Sequence, residues 1–533
     1  MTLSTYIRKP IKITLISLAI VLYCFLMFLI TGLIFEATTD LVPISRAKTS
    51  FYFEPISLFI TFVILAIVTR RILLSLILIT GIYIVLMLIN TEMMKIFGLT
   101  FSPGDIKHSM QVFLAPEIWL SYWKELLLVL ILILFFLIYY VKTTPNRFLN
   151  QYRYMLFSFL TIFGLLVFFY RFSIAEKIRT GFDSSVKVVP IELPQQNGFL
   201  FAFYYQLLQQ RKIKPPINYS PKILDKIIDK HNIYNNIDIQ IKPHVIIFFI
   251  EAFADPKQVD IKTSFDPIPN FRKYAQKSLS GFVISPEIGG RSANPEFELL
   301  TGLSMRFMPE KSIPYIDYLT RPLPSLAREF KNNGYSTHAI HVATMKFFNY
   351  EKAYHYLGFD YYYTLYNREN IERDIRGRYP SEKALVNEII NITESNDKPQ
   401  FIFSFPNSTH GFWDYDAYLN SDLDVYGDFI GDGKSYLKTY INSIHTADKA
   451  IGKLINHFEK STKPAIILVL GDHQPSLPEF RQNLYDLYFD ENMLEKKNMT
   501  RQRLKRKLRN NLNFHYDYED RRINAAYRTS NQV

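Results

Sequence analysis

Residues 287–302 read EIGGRSANPEFELLTG, and Ser292 stands between a Gly-Gly-Arg turn and a helix-like run. Two glycines let backbone approach a ligand closely, and the first N–H groups of a helix favour anions. Three other short stretches carry groups of related chemistry. They are Glu251 after the apolar run HVIIFFI, Asp472 and His473 in GDHQP, and His410 in PNSTHGFW. Carboxylates, an imidazole and a hydroxyl can share one divalent cation and leave a coordination position open. A cation so held would lower the pKa of the hydroxyl and neutralise an anionic substrate oxygen, arming Ser292 as a nucleophile. Each residue also has a plainer reading: the strand-end carboxylate as a cap or ion-pair partner, the Asp-His pair as a surface turn, the serine as an N-cap.

A sheet would bring these residues together. HVIIFFI (244–250), PQFIFSF (399–405) and the segment 464–470 read as buried strands. SLAREFKNNGYSTHAIHV reads as helix, glycine turn and strand, and YLKTYINSIHTADKAIGKLINHFEK as one long amphipathic helix. Strands spaced by helices predict an α/β domain whose mainly parallel sheet is covered on both faces. In such sheets chemistry gathers beyond the carboxyl ends of the strands. Glu251, His410 and the Asp472–His473 pair each follow a strand, so all fall at one edge.

The first third of the chain is of a different kind. Five segments, roughly 13–35, 51–69, 72–91, 125–142 and 155–171, are apolar enough and long enough to cross a ~30 Å hydrocarbon core as helices. Arg8, Lys9 and Lys12, then Arg70 and Arg71, then Lys142, Arg147 and Arg153 occupy alternate ends without acids, whereas the other two loops mix signs. That places the N-terminus inside and everything after residue 171 outside. Cys24, the single cysteine, lies in the first apolar run, so the external part must hold together without disulfides. The formal net charge of +12 suits an anionic membrane surface. No nucleic-acid recognition motif competes with that reading. After the spans, Phe199, Phe201, Phe203, Tyr204 and Tyr205 suggest either a helix at the membrane interface or packing against the external domain. KPPINYSP then breaks the chain.

Taken with FGLTFSPGDI, the NGFLFAF…NYSP linker, KPHVIIFFIEAF, GGRSANPEFELLTG, LGFDYYY, STHGFW and LVLGDHQPSL, the chain resembles the lipoteichoic acid synthase and phosphoglycerol transferase family. That family is a membrane-bound branch of the alkaline phosphatase/sulfatase superfamily. The resemblance runs from the first span to about residue 478. It implies a five-span α-helical domain (1–171), an interfacial linker (172–240), an extracytoplasmic sulfatase-like α/β domain (241–482) and a basic tail (483–533) that is divergent or truncated. It implies that Glu251, Ser292, Asp472 and His473 bind a divalent metal, manganese by preference, and that Ser292 is the nucleophile. His410 would bind or protonate the reacting phosphate, and His341 and Phe348 would line a headgroup pocket.

The implied reaction moves phosphoglycerol from phosphatidylglycerol to an extracytoplasmic glycan or polymer through a covalent serine intermediate. Three departures stand out. Ser292 replaces the commoner threonine, and Tyr350 stands where relatives often have an arginine that clamps phosphate. The tail ends in AYRTSNQV, which looks like the start of a strand that then stops. Rival readings are a phosphoethanolamine transferase, a phosphate or sulfate ester hydrolase, and a catalytically impaired membrane scaffold.

Overall fold

The computed structural model describes residues 19–20, 22–30, 50–97, 101–109, 242–259, 261–309, 311–411, 421–427, 433–475 and 528–532, with isolated positions between 123 and 226 and between 413 and 477. The chain divides into two compact units. Described residues up to 207 belong to the first and those from 220 onward to the second.

In the first unit, α1 (Ser50–Thr69) and α2 (Ile72–Phe97) coincide with the second and third expected spans. Among the described residues one helix, over Ile72–Thr91, is long and apolar enough to cross a membrane by length and composition, and Ser57–Thr69 is apolar but shorter. The first expected span includes helical residues 22–30, and the fourth includes helical positions between 127 and 142. The fifth lies outside the described residues. Cys24, Phe28, Leu58, Phe62 and Tyr83 share one apolar cluster with Phe199 and Leu200, so part of the aromatic linker is buried in this unit. Glu54, buried within α1, accepts hydrogen bonds from Tyr83 Oη at 2.9 Å and from the Leu200 N–H at 2.9 Å.

The second unit is built on a seven-stranded sheet. Its strands are β1 (His244–Ile250), β2 (Ser280–Ile284), β3 (Ser336–His341), β4 (Tyr361–Thr364), β5 (Gln400–Phe405), β6 (Ala465–Gly471) and β7 (Arg528–Gln532), in the order β2-β7-β6-β1-β5-β3-β4. β6, β1, β5, β3 and β4 run parallel, while β7 is antiparallel between β2 and β6. The expected parallel sheet is therefore present, with an antiparallel edge that the sequence reading did not place. The strand suspected in AYRTSNQV is β7, and it joins that edge.

β1 is apolar throughout because both of its faces are buried. Ile246, Phe248 and Ile250 enter one core layer, and Ile247 and Phe249 enter the other. The first layer is completed by α3 (Pro269–Ala275), α7 (Glu382–Glu394) and α8 (Gly433–Phe458). The second is completed by α4 (Ala293–Thr301), α5 (Leu326–Asn332) and α6 (Tyr350–Leu357). Along α8 the buried Leu437, Tyr440, Ile441, Ile444, Ala447, Ile451 and Leu454 recur at spacings of three and four, the stripe an amphipathic helix presents to a sheet. Helix α5 starts where Ser325 Oγ accepts the Arg328 N–H at 3.2 Å, and the chain reverses into β3 at Gly334, whose φ is 86°.

Candidate active site

β1 and β6 are hydrogen-bonded neighbours, and their register sets Ile250 beside Gly471. Glu251 and Asp472 are the next residues of each strand, so strand pairing alone brings two acids to the same level of the carboxyl edge. The approach is close. A Cβ on Gly471 would lie 2.0 Å from the Phe253 carbonyl oxygen, so this position admits only glycine. Asp472 Oδ1 accepts two backbone N–H groups, from Ala252 at 2.7 Å and from His473 at 2.6 Å. Its Oδ2 is buried and accepts no hydrogen bond.

Ser292 reaches the same place on the loop before α4. Gly289, Gly290 and Arg291 have φ of 71°, 157° and 58°, a run that turns the chain sharply into the helix. The loop is tied to the exit of β6 by Gly289 N–H donating to Gln474 O at 2.9 Å and by a parallel bridge between Ile288 and Gln474. Ala252 and Arg291 are non-glycine residues at positive φ, each adjacent to a site residue. Strain of that kind, of order 1–3 kcal/mol, persists only where surrounding contacts over-determine the geometry.

Ser292 Oγ donates to Glu251 Oε2 at 2.9 Å and lies 3.3 Å from His473 Nε2. His473 Nε2 is 3.4 Å from Glu251 Oε1 and 3.2 Å from Asp472 Oδ2. His473 Nδ1 pairs with Gln474 O at 2.9 Å, which assigns its proton to Nδ1 and leaves the Nε2 lone pair facing the acids and the hydroxyl. Glu251, Asp472 and His473 each offer one ligand atom, all within 4.8 Å of one another, and all three are buried. Burial, and next the charge of Asp472, pushes Glu251 up to about 8. Burial works against a charged His473, but the charges of Asp472 and Glu251 outweigh it and raise its pKa. Two buried acids facing each other, one with an orphaned oxygen, form a set that a divalent cation would satisfy. Carboxylate, imidazole and hydroxyl donors suit manganese and zinc alike.

His341 ends β3 and is buried. Its Nδ1 accepts the Ala343 N–H at 2.9 Å, so the proton belongs on Nε2, which has no partner. Burial lowers its pKa to about 3, keeping the imidazole a neutral donor. Phe348 sits at φ 47° ahead of α6 and packs into the core layer around α4 to α6. Tyr350 is fully buried, with ring centroids 4.6 Å from His341 and 5.5 Å from Tyr354. It is a core ring, and nothing at this position replaces an arginine's charge. His410 lies on the loop after β5, and the neighbouring Thr409 hydroxyl donates to the carbonyl oxygen of Glu251.

Some residues of the site region were not singled out from the sequence. Asn294 donates to Glu287 Oε1 at 2.6 Å and to Ser312 O at 2.9 Å, bracing the serine loop. Glu296 is fully buried one helical turn after Ser292, and Tyr315 Oη donates to its Oε1 at 3.0 Å. Burial pushes Glu296 up to about 8. An acid within EFELL reads as the outer face of a helix; only its neighbours Phe297 and Leu300, buried on the same side, hint otherwise.

A protein-family model described as sulfatase matches residues 243–529, more than half of the chain. Among curated proteins, a putative cyclic β-1,2-glucan modification protein of Rhizobium meliloti is 33% identical over 298 residues, covering 55% of this chain and 45% of the relative. A capsular polysaccharide biosynthesis protein of the same organism is 25% identical over 247 residues, 45% of this chain and 42% of that protein. The chain thus spans less than half the length of these relatives. Among solved structures, an integral membrane lipooligosaccharide phosphoethanolamine transferase from Neisseria meningitidis superposes with a TM-score of 0.51 at 14% identity, over 86% of this chain and 82% of that one. That likeness is one of fold. A Streptococcus pyogenes phosphoglycerol transferase in complex with sn-glycerol-1-phosphate gives a TM-score of 0.47 at 22% identity, over 60% of this chain and 77% of that one.

Proposed function

The chain belongs to the sulfatase family, and from that premise we propose that it transfers phosphoglycerol from a membrane glycerophospholipid, phosphatidylglycerol, to an extracytoplasmic glycan or polymer. The observation that carries the reading is the buried convergence of Glu251, Asp472 and His473 around the Ser292 hydroxyl. A divalent ion bound there, manganese by family resemblance, would lower the hydroxyl's pKa and neutralise substrate oxygens.

Ser292 Oγ passes its proton to Glu251 Oε2 as it attacks the phosphorus. An Oγ–P bond forms, the P–O bond to diacylglycerol breaks, and diacylglycerol leaves with a proton from His410. In the second half an acceptor hydroxyl gives its proton to His410 as it attacks the same phosphorus, the Oγ–P bond breaks, and Ser292 leaves with the proton returned from Glu251. The neutral Nε2–H of His341 is a donor suited to a phosphate oxygen. Apolar helix α2 supports a membrane-held enzyme, and the Lys and Arg distribution along the first third of the sequence supports a second unit outside the cytoplasm. The name of the Rhizobium relative, a glucan modification protein, supports a glycan acceptor.

Full-length protein in vesicles with headgroup-labelled phosphatidylglycerol should acquire label and release diacylglycerol, and Ser292→Ala should do neither. Label that persists on Ser292→Ala rejects the nucleophile. Competition by phosphatidylethanolamine stronger than by unlabelled phosphatidylglycerol would favour the phosphoethanolamine reading.

A further inference from the structure

The loop 408–411, which carries His410, has no secondary structure of its own, yet side chains hold every one of its carbonyl oxygens. Arg376 Nη2 donates to Ser408 O, and Arg376 Nη1 to His410 O at 3.0 Å. Trp413 Nε1 donates to Thr409 O at 3.0 Å. Arg378 Nη1 donates to Gly411 O at 3.1 Å, the same oxygen that pairs with His410 Nδ1. A backbone segment outside helix or sheet normally gives such carbonyls to water. Here two guanidiniums and an indole N–H take that place.

The arginines are themselves built in. Residues 373–380 form a tight reversal, bridged between Arg373 and Pro380, with Gly377 at φ 69°. Asp374 Oδ1 accepts the Arg378 N–H at 2.8 Å, and Asp374 N–H donates to Tyr379 O at 2.8 Å. Asp374 Oδ2 lies 3.5 Å from Arg376 Nε, and the Arg376 side chain is only 2% exposed. Burying a guanidinium opposes its charge, so a fold keeps one inside where its fork has fixed acceptors. Both of Arg376's loop acceptors flank Thr409, whose hydroxyl donates to the Glu251 carbonyl. The Arg378 acceptor is also the partner of the His410 ring, so that contact bears on the ring's orientation and on which nitrogen carries the proton.

We propose that Arg376 and Arg378 are positioning residues. They hold the 408–411 loop so that His410 is fixed in orientation beside the Glu251 end of β1, and they act on turnover through His410 rather than by touching substrate. The role of His410 in turnover rests on the transferase reading above; the holding of the loop does not.

The test uses the full-length protein with Arg376→Gln, Arg376→Lys, Arg378→Gln and His410→Ala, alone and combined. Amide hydrogen exchange is followed for peptides covering 407–413, and diacylglycerol release from phosphatidylglycerol vesicles gives kcat and KM. Arg376→Gln should speed exchange of the loop roughly tenfold or more, in line with losing hydrogen bonds to a charged group. It should lower kcat by about tenfold to a hundredfold with KM little changed. Arg376→Lys, which keeps the charge but replaces the planar fork with a single-point donor on a different stem, should fall between. In the His410→Ala background the Arg376 change should cost no further turnover.

Unchanged exchange at 407–413 overturns the proposal. So does faster exchange with unaltered kcat, or a loss that adds in full to that of His410→Ala. If the unaltered protein released no diacylglycerol from any lipid, the transferase reading would fail, and the exchange data alone would still decide whether the arginines hold the loop.

Discussion

Stripping the metal should make the protein's stability fall with pH in a way the loaded protein does not share. Glu251 is raised from an ordinary 4.5 to about 8 by burial and then by Asp472. A carboxyl raised on folding binds a proton more tightly in the folded state, so stability falls as pH rises between the unfolded and folded values. The slope is about 1.4 kcal/mol per pH unit for one proton. From pH 5 to 8 that sums to as much as about 4 kcal/mol. His473, also raised, has the same sign: its contribution is present below its unfolded value and is lost above it. A bound dication removes the cause, because it balances both acids and displaces the proton that Glu251 would otherwise hold. At roughly 2–4 °C per kcal/mol, the midpoint of chelated protein should drop by about 8–16 °C over this range relative to manganese-loaded protein. Thermal unfolding at unit pH steps, with excess chelator or with manganese, reads it directly. Parallel curves in the two conditions would show that Glu251 and His473 do not face a metal site.

Three further expectations follow from single contacts. Asp472→Asn keeps an acceptor for the Ala252 and His473 N–H groups but replaces the orphaned oxygen with a donor. Metal retained after dialysis should fall by more than the roughly tenfold to hundredfold an outer-shell change costs, while the chelated protein becomes more stable at pH 8. Gly471→Ala drives a methyl against the Phe253 carbonyl and should cost about 3 kcal/mol or more, read as a lowered midpoint in both metal states. Glu296→Gln keeps the acceptor for Tyr315 but removes an acid that titrates near 8. It should flatten the pH dependence of stability by up to about 1.4 kcal/mol per unit, equally with and without manganese; an effect seen in one metal state alone would contradict that independence.

The sequence by itself was enough to read β1, β5, β6, the turn into β3 and helix α8. Unbroken apolar runs, a glycine turn and a three-and-four stripe are local consequences of where each side chain points. It also placed Glu251, His410, Asp472 and His473 after strands, because in a parallel sheet a strand's end is its functional edge. What it could not supply was adjacency. That Glu251 meets Asp472 depends on β6 pairing with β1 in the register Ile250 to Gly471, a contact between residues about three-quarters of the second unit apart in sequence. The antiparallel edge of β2 and β7 was equally hidden, since strand order is decided by how the whole sheet closes its core. Glu296, Arg376 and Arg378 carry polar groups that any sequence reading assigns to solvent. Only the tertiary structure buries Glu296 and the Arg376 side chain and half-buries Arg378, where phenols and loop carbonyls offer the hydrogen bonds that water would otherwise make.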